Sequence, residues 1–242
     1  MEVPGYDIKI LPTSGVIAES VLRMVEAEMV RITGGKLASE IGPLACVLDT
    51  APAIRPESAE YAQGRTLDVY RPSPAPAAGA KRPAVVLIHG GGWSGGTRKL
   101  LAPHARWFAG KGLVAVNISY RLTAAPGVRV ADCVADAKSA VAWVRAHAAD
   151  WGIDPARIAV AGESAGGHLA ACTGLMAPQP ARANALILFN PVIDTASADG
   201  WRMDASYTAE DRRALSPAHH VASGAPPTLV VHGEADKVTP IC

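Results

Sequence analysis

The 242-residue chain is 49% hydrophobic and 19% charged, and its formal net charge is +1. That composition excludes a disordered chain, and the near-neutral balance leaves no electrostatic footprint for nucleic acid, an anionic membrane or an acidic polymer. The length suits one large domain with a sizeable core and is short for two.

The first residues, MEVPGYDIKILP, lack a basic stretch followed by an apolar one, so no signal peptide is expected. No apolar run is long enough to span a bilayer, and a cytoplasmic location is expected. Cys46, Cys133, Cys172 and Cys242 are scattered, with no CxxC spacing. They fit free thiols in a reducing compartment, and no metal site or cofactor is expected.

Residues 14–33 place Val21, Leu22, Val25, Met29 and Ile32 at helical spacing, with Glu19, Arg23, Glu26 and Glu28 between them. An amphipathic helix is expected there, stopped by Gly34-Gly35. Pro43, Pro52 and Pro56 make residues 36–58 read as irregular. Residues 1–58 are therefore taken as an N-terminal extension and residues 59–242 as the main domain.

The main domain alternates strands and helices. Residues 65–71 (RTLDVYR) alternate as a strand does, and 72–83 form a Pro/Ala-rich loop. Strands are expected at 84–88 (AVVLI), 113–118 (LVAVNI), 157–161 (RIAVA), 185–189 (ALILF) and 228–231 (TLVV). Helices are expected at 98–111, about 130–150 and 164–176. Short apolar strands alternating with helices imply a mostly parallel sheet covered on both faces, with its chemistry at the carboxyl ends of the strands. The polar segment 195–214 interrupts this pattern and reads equally as a small lid or a solvated loop.

Two motifs sit at such strand ends. Gly162-Glu163-Ser164-Ala165-Gly166 matches G-x-S-x-G between an apolar strand and a helix. There a serine turns sharply out of the sheet, small neighbours clear its surroundings, and the helix N-terminus favours a developing anion. Ser164 is the expected nucleophile; the bland alternative is a helix-capping serine. His89-Gly90-Gly91-Gly92-Trp93 follows the strand at 84–88. Glycines let backbone N–H groups approach a carbonyl oxygen that gains negative charge. The amides of Gly91, Gly92 and Ala165 are the expected donors. The loop matches neither phosphate-binding glycine pattern. His89 and His232, both at strand ends, are expected to be structural, and Trp93 to pack beside the acyl site.

HGGGW, SYRL (119–122), D-P-x-R-I (154–158), GESAGGHLAA (162–171), Leu215-Ser216-Pro217 and PPTLVVHGEADKVTP (226–240) together resemble one branch of the α/β-hydrolase superfamily. That branch is hormone-sensitive-lipase-like and feruloyl/acetylxylan-esterase-like. The resemblance covers roughly residues 59–242 and implies the α/β-hydrolase fold. It also implies a serine carboxylic-ester hydrolase for small-molecule, short-acyl (acetyl) esters that works through an acyl-serine. It places the triad acid at Asp236; Asp194 is a second candidate acid whose plainer role is capping a loop.

The triad order on this fold is Ser, Asp, His. After Asp236 come only Lys237, Val238, Thr239, Pro240, Ile241 and Cys242. The resemblance puts the general base on a final helix, strand and loop of roughly 30 residues. The chain is therefore expected to be C-terminally truncated, with impaired catalysis and an unpaired apolar sheet edge prone to association. His104, His147, His168, His219 and His220 are poor substitutes, since a base must reach the hydroxyl. An aryl-formamidase-like amide hydrolase and a non-catalytic binding protein on the hydrolase scaffold stand as alternatives.

Overall fold

The structure, a computed structural model, describes residues 6–10, 53–72, 79–197, 203, 205–233, 236, 238 and 239. The helix expected at 14–33 and most of the irregular stretch 36–58 lie outside the described residues.

The strands are β1 (Tyr6–Ile10), β2 (Glu57–Ala62), β3 (Arg65–Tyr70), β4 (Arg82–Ile88), β5 (Val114–Ile118), β6 (Ile153–Glu163), β7 (Ala185–Phe189) and β8 (Thr228–Gly233). They form one 8-stranded sheet in the order β1-β8-β7-β6-β4-β5-β3-β2. Strands β4 to β8 pair parallel, and β1, β2 and β3 pair antiparallel with their neighbours. This is the α/β-hydrolase architecture.

The helices are α1 (Ala102–Gly110), α2 (Val130–Ala146), α3 (Ala165–Leu175) and α4 (Ala209–Ala214). Every residue of β5 is buried, because helices cover both faces. On one face Val86, Ile88, Val116, Val160 and Leu186 meet α2 and α3. On the other Val85, Leu87, Ala115, Ala161 and Ile187 meet Ala105 and Phe108 of α1. Helix α2 buries Val130, Val134, Ala137, Val141 and Val144, a stripe at helical spacing. The Asp132 carboxylate accepts the Arg129 N–H at 2.8 Å and so satisfies a donor at the start of that helix.

From β4 the chain moves to β5 on one side, then crosses to β6 on the other. That reversal opens a crevice above the carboxyl ends of β4 and β6, where open α/β sheets bind ligands. The register aligns these ends, with Ile88 opposite Gly162, Glu163 opposite Phe189 and Phe189 opposite Val231.

Two expectations are corrected. The edge of β8 is not left unpaired, because β1 lies along it antiparallel, from Ile10 opposite Leu229 to Tyr6 opposite Gly233. A backbone ladder thus satisfies the N–H and C=O groups that an open edge would expose. The described residues of 195–214 also do not read as a plain solvated loop. Met203 and Tyr207 are buried in the core, and α4 starts from a Thr208–Asp211 capping box. The Tyr207 hydroxyl accepts the Val130 N–H at 2.9 Å, and the Arg129 guanidinium lies 4.4 Å from the Tyr207 ring centre. Tyr207 is thereby pinned to the start of α2.

Candidate active site

Ser164 stands between β6 and α3 with φ 51 and ψ −121. For a residue with a Cβ that conformation is strained, and it persists because its surroundings hold it. The Ser164 N–H donates to the Phe189 carbonyl at 3.0 Å, and the Ser164 carbonyl accepts from the His168 N–H at 3.1 Å. The glycines of the motif admit close backbone packing. A Cβ on Gly162 would lie 2.2 Å from the Gly166 carbonyl oxygen. The tight turn is therefore built into the backbone itself.

The glycine loop leaves β4 directly beside this turn. A Cβ on Gly90 would lie 3.3 Å from the Ser164 Cβ. The Gly90 N–H donates to Glu163 Oε1 at 3.4 Å. Gly91, Gly92 and Trp93 follow with φ of 117, 59 and 59. The Gly91 carbonyl accepts from Gly95 N–H at 3.0 Å, which closes the loop on itself. Among the described residues no acceptor is assigned to the N–H groups of Gly91, Gly92 or Ala165. Ala165 is the first residue of α3, so its amide is one of the helix N-terminal donors without an intrahelical partner. Ser164, Ala165 and the loop thus come together at adjacent strand ends.

His89 is turned away from this chemistry. Its ring stacks on Tyr120 at 4.5 Å and its Nδ1 lies 2.8 Å from the Gly90 carbonyl oxygen. Burial lowers its pKa, against the opposing pull of that carbonyl. The Tyr120 hydroxyl donates to the His89 carbonyl at 3.0 Å, and burial raises the phenol's pKa. This pair supports the start of the loop.

Asp236 follows β8, two strands from β6. Its Oδ1 accepts from the N–H groups of Val238 (2.8 Å) and Thr239 (2.9 Å), and its Oδ2 from the Thr239 hydroxyl (2.9 Å). Burial works to raise its pKa, but these bonds and nearby His232 outweigh it and hold the carboxyl below its ordinary value. His232 Nε2 lies 3.7 Å from Asp236 Oδ2 and bonds the Thr239 carbonyl. Asp194 caps a turn. Its Oδ1 accepts from Ala196 N–H, Ser197 N–H and the Ser216 hydroxyl at 2.8, 3.1 and 3.1 Å. Burial opposes ionisation there too, yet hydrogen bonds from Ser197, Ala196 and Ser216 lower its pKa to about 2.

All seven histidines fall among the described residues, and no ring nitrogen of theirs is hydrogen-bonded to the Ser164 hydroxyl. His147, His219 and His220 bond Trp143, Ser216 and Ala214 respectively. Burial lowers the His104 pKa to about 4. His168, one turn beyond Ser164, is fully buried. Its Nδ1 accepts from the Trp93 indole N–H at 3.2 Å and its Nε2–H donates to the Leu215 carbonyl at 2.7 Å. Trp93 is accordingly packed against α3. Sequence reasoning placed Trp93 beside the acyl site and set His168 aside as a poor base, and it missed the link between them, for which neither motif carries a local signal.

Comparison with known proteins agrees with this architecture. The family model described as BD-FAE matches residues 67–195. The chain is 31% identical over 207 residues to the probable carboxylic ester hydrolase LipM of Mycobacterium tuberculosis, across 75% of this chain and 47% of that protein. It spans about half the length of the curated relatives it matches. It is similar to a thermophilic esterase, Est2, of the planctomycete Thermogutta terrifontis. The propionate-bound structure aligns with TM-score 0.67 at 42% identity, over 76% of this chain and 74% of that one. The butyrate-bound structure aligns with TM-score 0.66 at 40% identity, over the same shares of 76% and 74%. With the serine turn, the glycine loop and the parallel sheet in place, the chain belongs to the BD-FAE family of α/β-hydrolase-fold esterases.

Proposed function

We propose that this site is that of a carboxylic-ester hydrolase acting through an acyl-serine, with Ser164 as nucleophile. The observation that carries the reading is the approach of Gly90 to Ser164, which sets the glycine loop against a strained serine at a helix N-terminus. In this reading the Ser164 hydroxyl attacks the ester carbonyl. The carbonyl oxygen becomes an oxyanion held by the amides of Gly91, Gly92 and Ala165. Collapse expels the alcohol and leaves the acyl group on Ser164, and water then releases the acid. Asp236 is the proposed acid that orients the base. None of the seven histidines supplies that base in the arrangement described. Short acyl groups, acetyl among them, are the proposed substrates; the propionate- and butyrate-bound forms of the similar Est2 support that class.

That no histidine ring among the described residues bonds the Ser164 hydroxyl favours a second reading, a hydrolase scaffold that binds without turning over. One assay separates the two. The chain and its Ser164→Ala variant are given p-nitrophenyl acetate, with and without imidazole as an external base. Imidazole-stimulated hydrolysis that the variant lacks is expected. Equal rates in folded samples of both would favour the binding reading.

A further inference from the structure

We infer that His168 is a positioning residue, which ties the glycine loop to the helix that starts at Ser164 and to the segment ending at Leu215. The inference rests on the proposed hydrolase reading for its consequence in catalysis, and on geometry alone for the tie.

The loop needs such a tie. Gly91, Gly92 and Trp93 all hold positive φ, and the last of them has a full side chain. Strain of this kind persists only where contacts fix it. Two hydrogen bonds among the described residues hold Trp93. Its carbonyl accepts the Thr123 N–H at 3.0 Å, and its indole N–H donates to His168 Nδ1 at 3.2 Å. The two rings meet edge to face, with centres 5.2 Å apart at 87°. Trp93 directly follows Gly92, whose amide is one of the proposed oxyanion donors. His168 sits on the same helix as Ser164, joined to it by the backbone bond at 3.1 Å. The chain of bonds therefore sets the position of the oxyanion amides relative to the nucleophile.

The partners also fix the ring's chemistry. The indole N–H is a donor only and the Leu215 carbonyl an acceptor only, so the imidazole must be neutral with its proton on Nε2. Cys172 Sγ lies 3.7 Å from Nε2. Burial raises the Cys172 pKa to about 12, so it stays a neutral thiol. An imidazolium would turn a second donor against the Trp93 N–H. The ring is thus a fixed spacer, matched at each nitrogen, rather than a proton carrier.

The two bonds can be removed separately. His168→Asn keeps an acceptor near the place of Nδ1 and loses the link to Leu215. His168→Gln keeps a donor near the place of Nε2 and leaves the Trp93 indole without its acceptor. Three readouts are taken on the 242-residue chain: folding by circular dichroism, backbone and indole N–H signals by 15N NMR, and Ser164-dependent p-nitrophenyl acetate hydrolysis with imidazole present. The expected result for folded His168→Gln is displaced Gly91, Gly92 and Trp93 indole signals, with kcat about tenfold lower and KM within about twofold. His168→Asn should keep those signals and most of kcat. Equal behaviour of the two variants, or unmoved Gly91 and Gly92 amides in His168→Gln, would overturn the inference. If His168→Gln does not fold, Trp93→Phe carries the test, since it keeps a ring but removes the N–H. Unmoved glycine signals there overturn the inference equally. Should the wild-type chain show no Ser164-dependent turnover, the hydrolase reading fails, while the NMR comparison still decides whether the tie exists.

Discussion

Gly166 packs so tightly on Ile88 that a Cβ added to it would stand 2.1 Å from the Ile88 carbonyl oxygen. The same atom would lie 2.6 Å from the His89 carbonyl oxygen. Both obstacles are backbone, at the last residue of β4 and the one after it, where the glycine loop begins. The last glycine of G-x-S-x-G therefore sets how close the serine helix comes to β4.

Gly166→Ala should accordingly be destabilising at the upper end of the overpacking range, about 3 kcal/mol, because neither neighbour can swing away. Urea unfolding of the variant beside the wild type measures this. A loss under about 1 kcal/mol would mean that α3 can shift outward at little cost, contrary to the packing described.

Ser164→Gly should act in the opposite direction on stability. At φ 51 and ψ −121 a Cβ is strained, and glycine is not. A gain of about 1 kcal/mol is expected, net of glycine's greater freedom in the unfolded chain, together with complete loss of any Ser164-dependent hydrolysis. A destabilised Ser164→Gly would show that the serine side chain contributes contacts that outweigh its backbone strain.

His168 predicts a pH effect with a definite sign. Burial, partly offset by the hydrogen bond to Leu215, lowers its pKa from an ordinary 6.5 to about 4. Below the ordinary value the unfolded chain takes up a proton here that the folded chain refuses until about 4. Stability is thus fully present at neutral pH, falls as pH drops through that window, and levels off below it. The difference corresponds to about 3 kcal/mol. Urea midpoints at pH 7 and pH 4.5 should move less in His168→Gln than in the wild type. An equal shift in both would mean that His168 titrates normally in the folded chain.

Removal of residues 1–10 takes away β1 and opens the edge of β8. The exposed ladder should drive concentration-dependent association, visible by light scattering over a dilution series. A truncated chain as monodisperse as the parent would show that β1 does not protect this edge.

Much of the architecture was legible because it is local. Apolar runs such as 84–88 and 185–189 sit within β4 and β7, and α2 follows its own hydrophobic stripe. The serine turn and glycine loop could be read from HGGGW and GESAG, since tight backbone approach leaves glycine as the only side chain that fits. Local pattern is therefore enough for the parallel core and for the residues that stand at its strand ends. The remaining features depend on contacts made when the chain folds. That β1 lies on β8, that Tyr207 caps the start of α2, and that Trp93, His168 and Leu215 form one chain are pairings between distant segments. Each bond needs a partner that no nearby residue specifies. A histidine in GGHLA looks the same in sequence whether its nitrogens face a substrate, a metal or an indole. Burial and the matched donor and acceptor on either side of the ring fix which of these it is, and both exist only once the chain is folded.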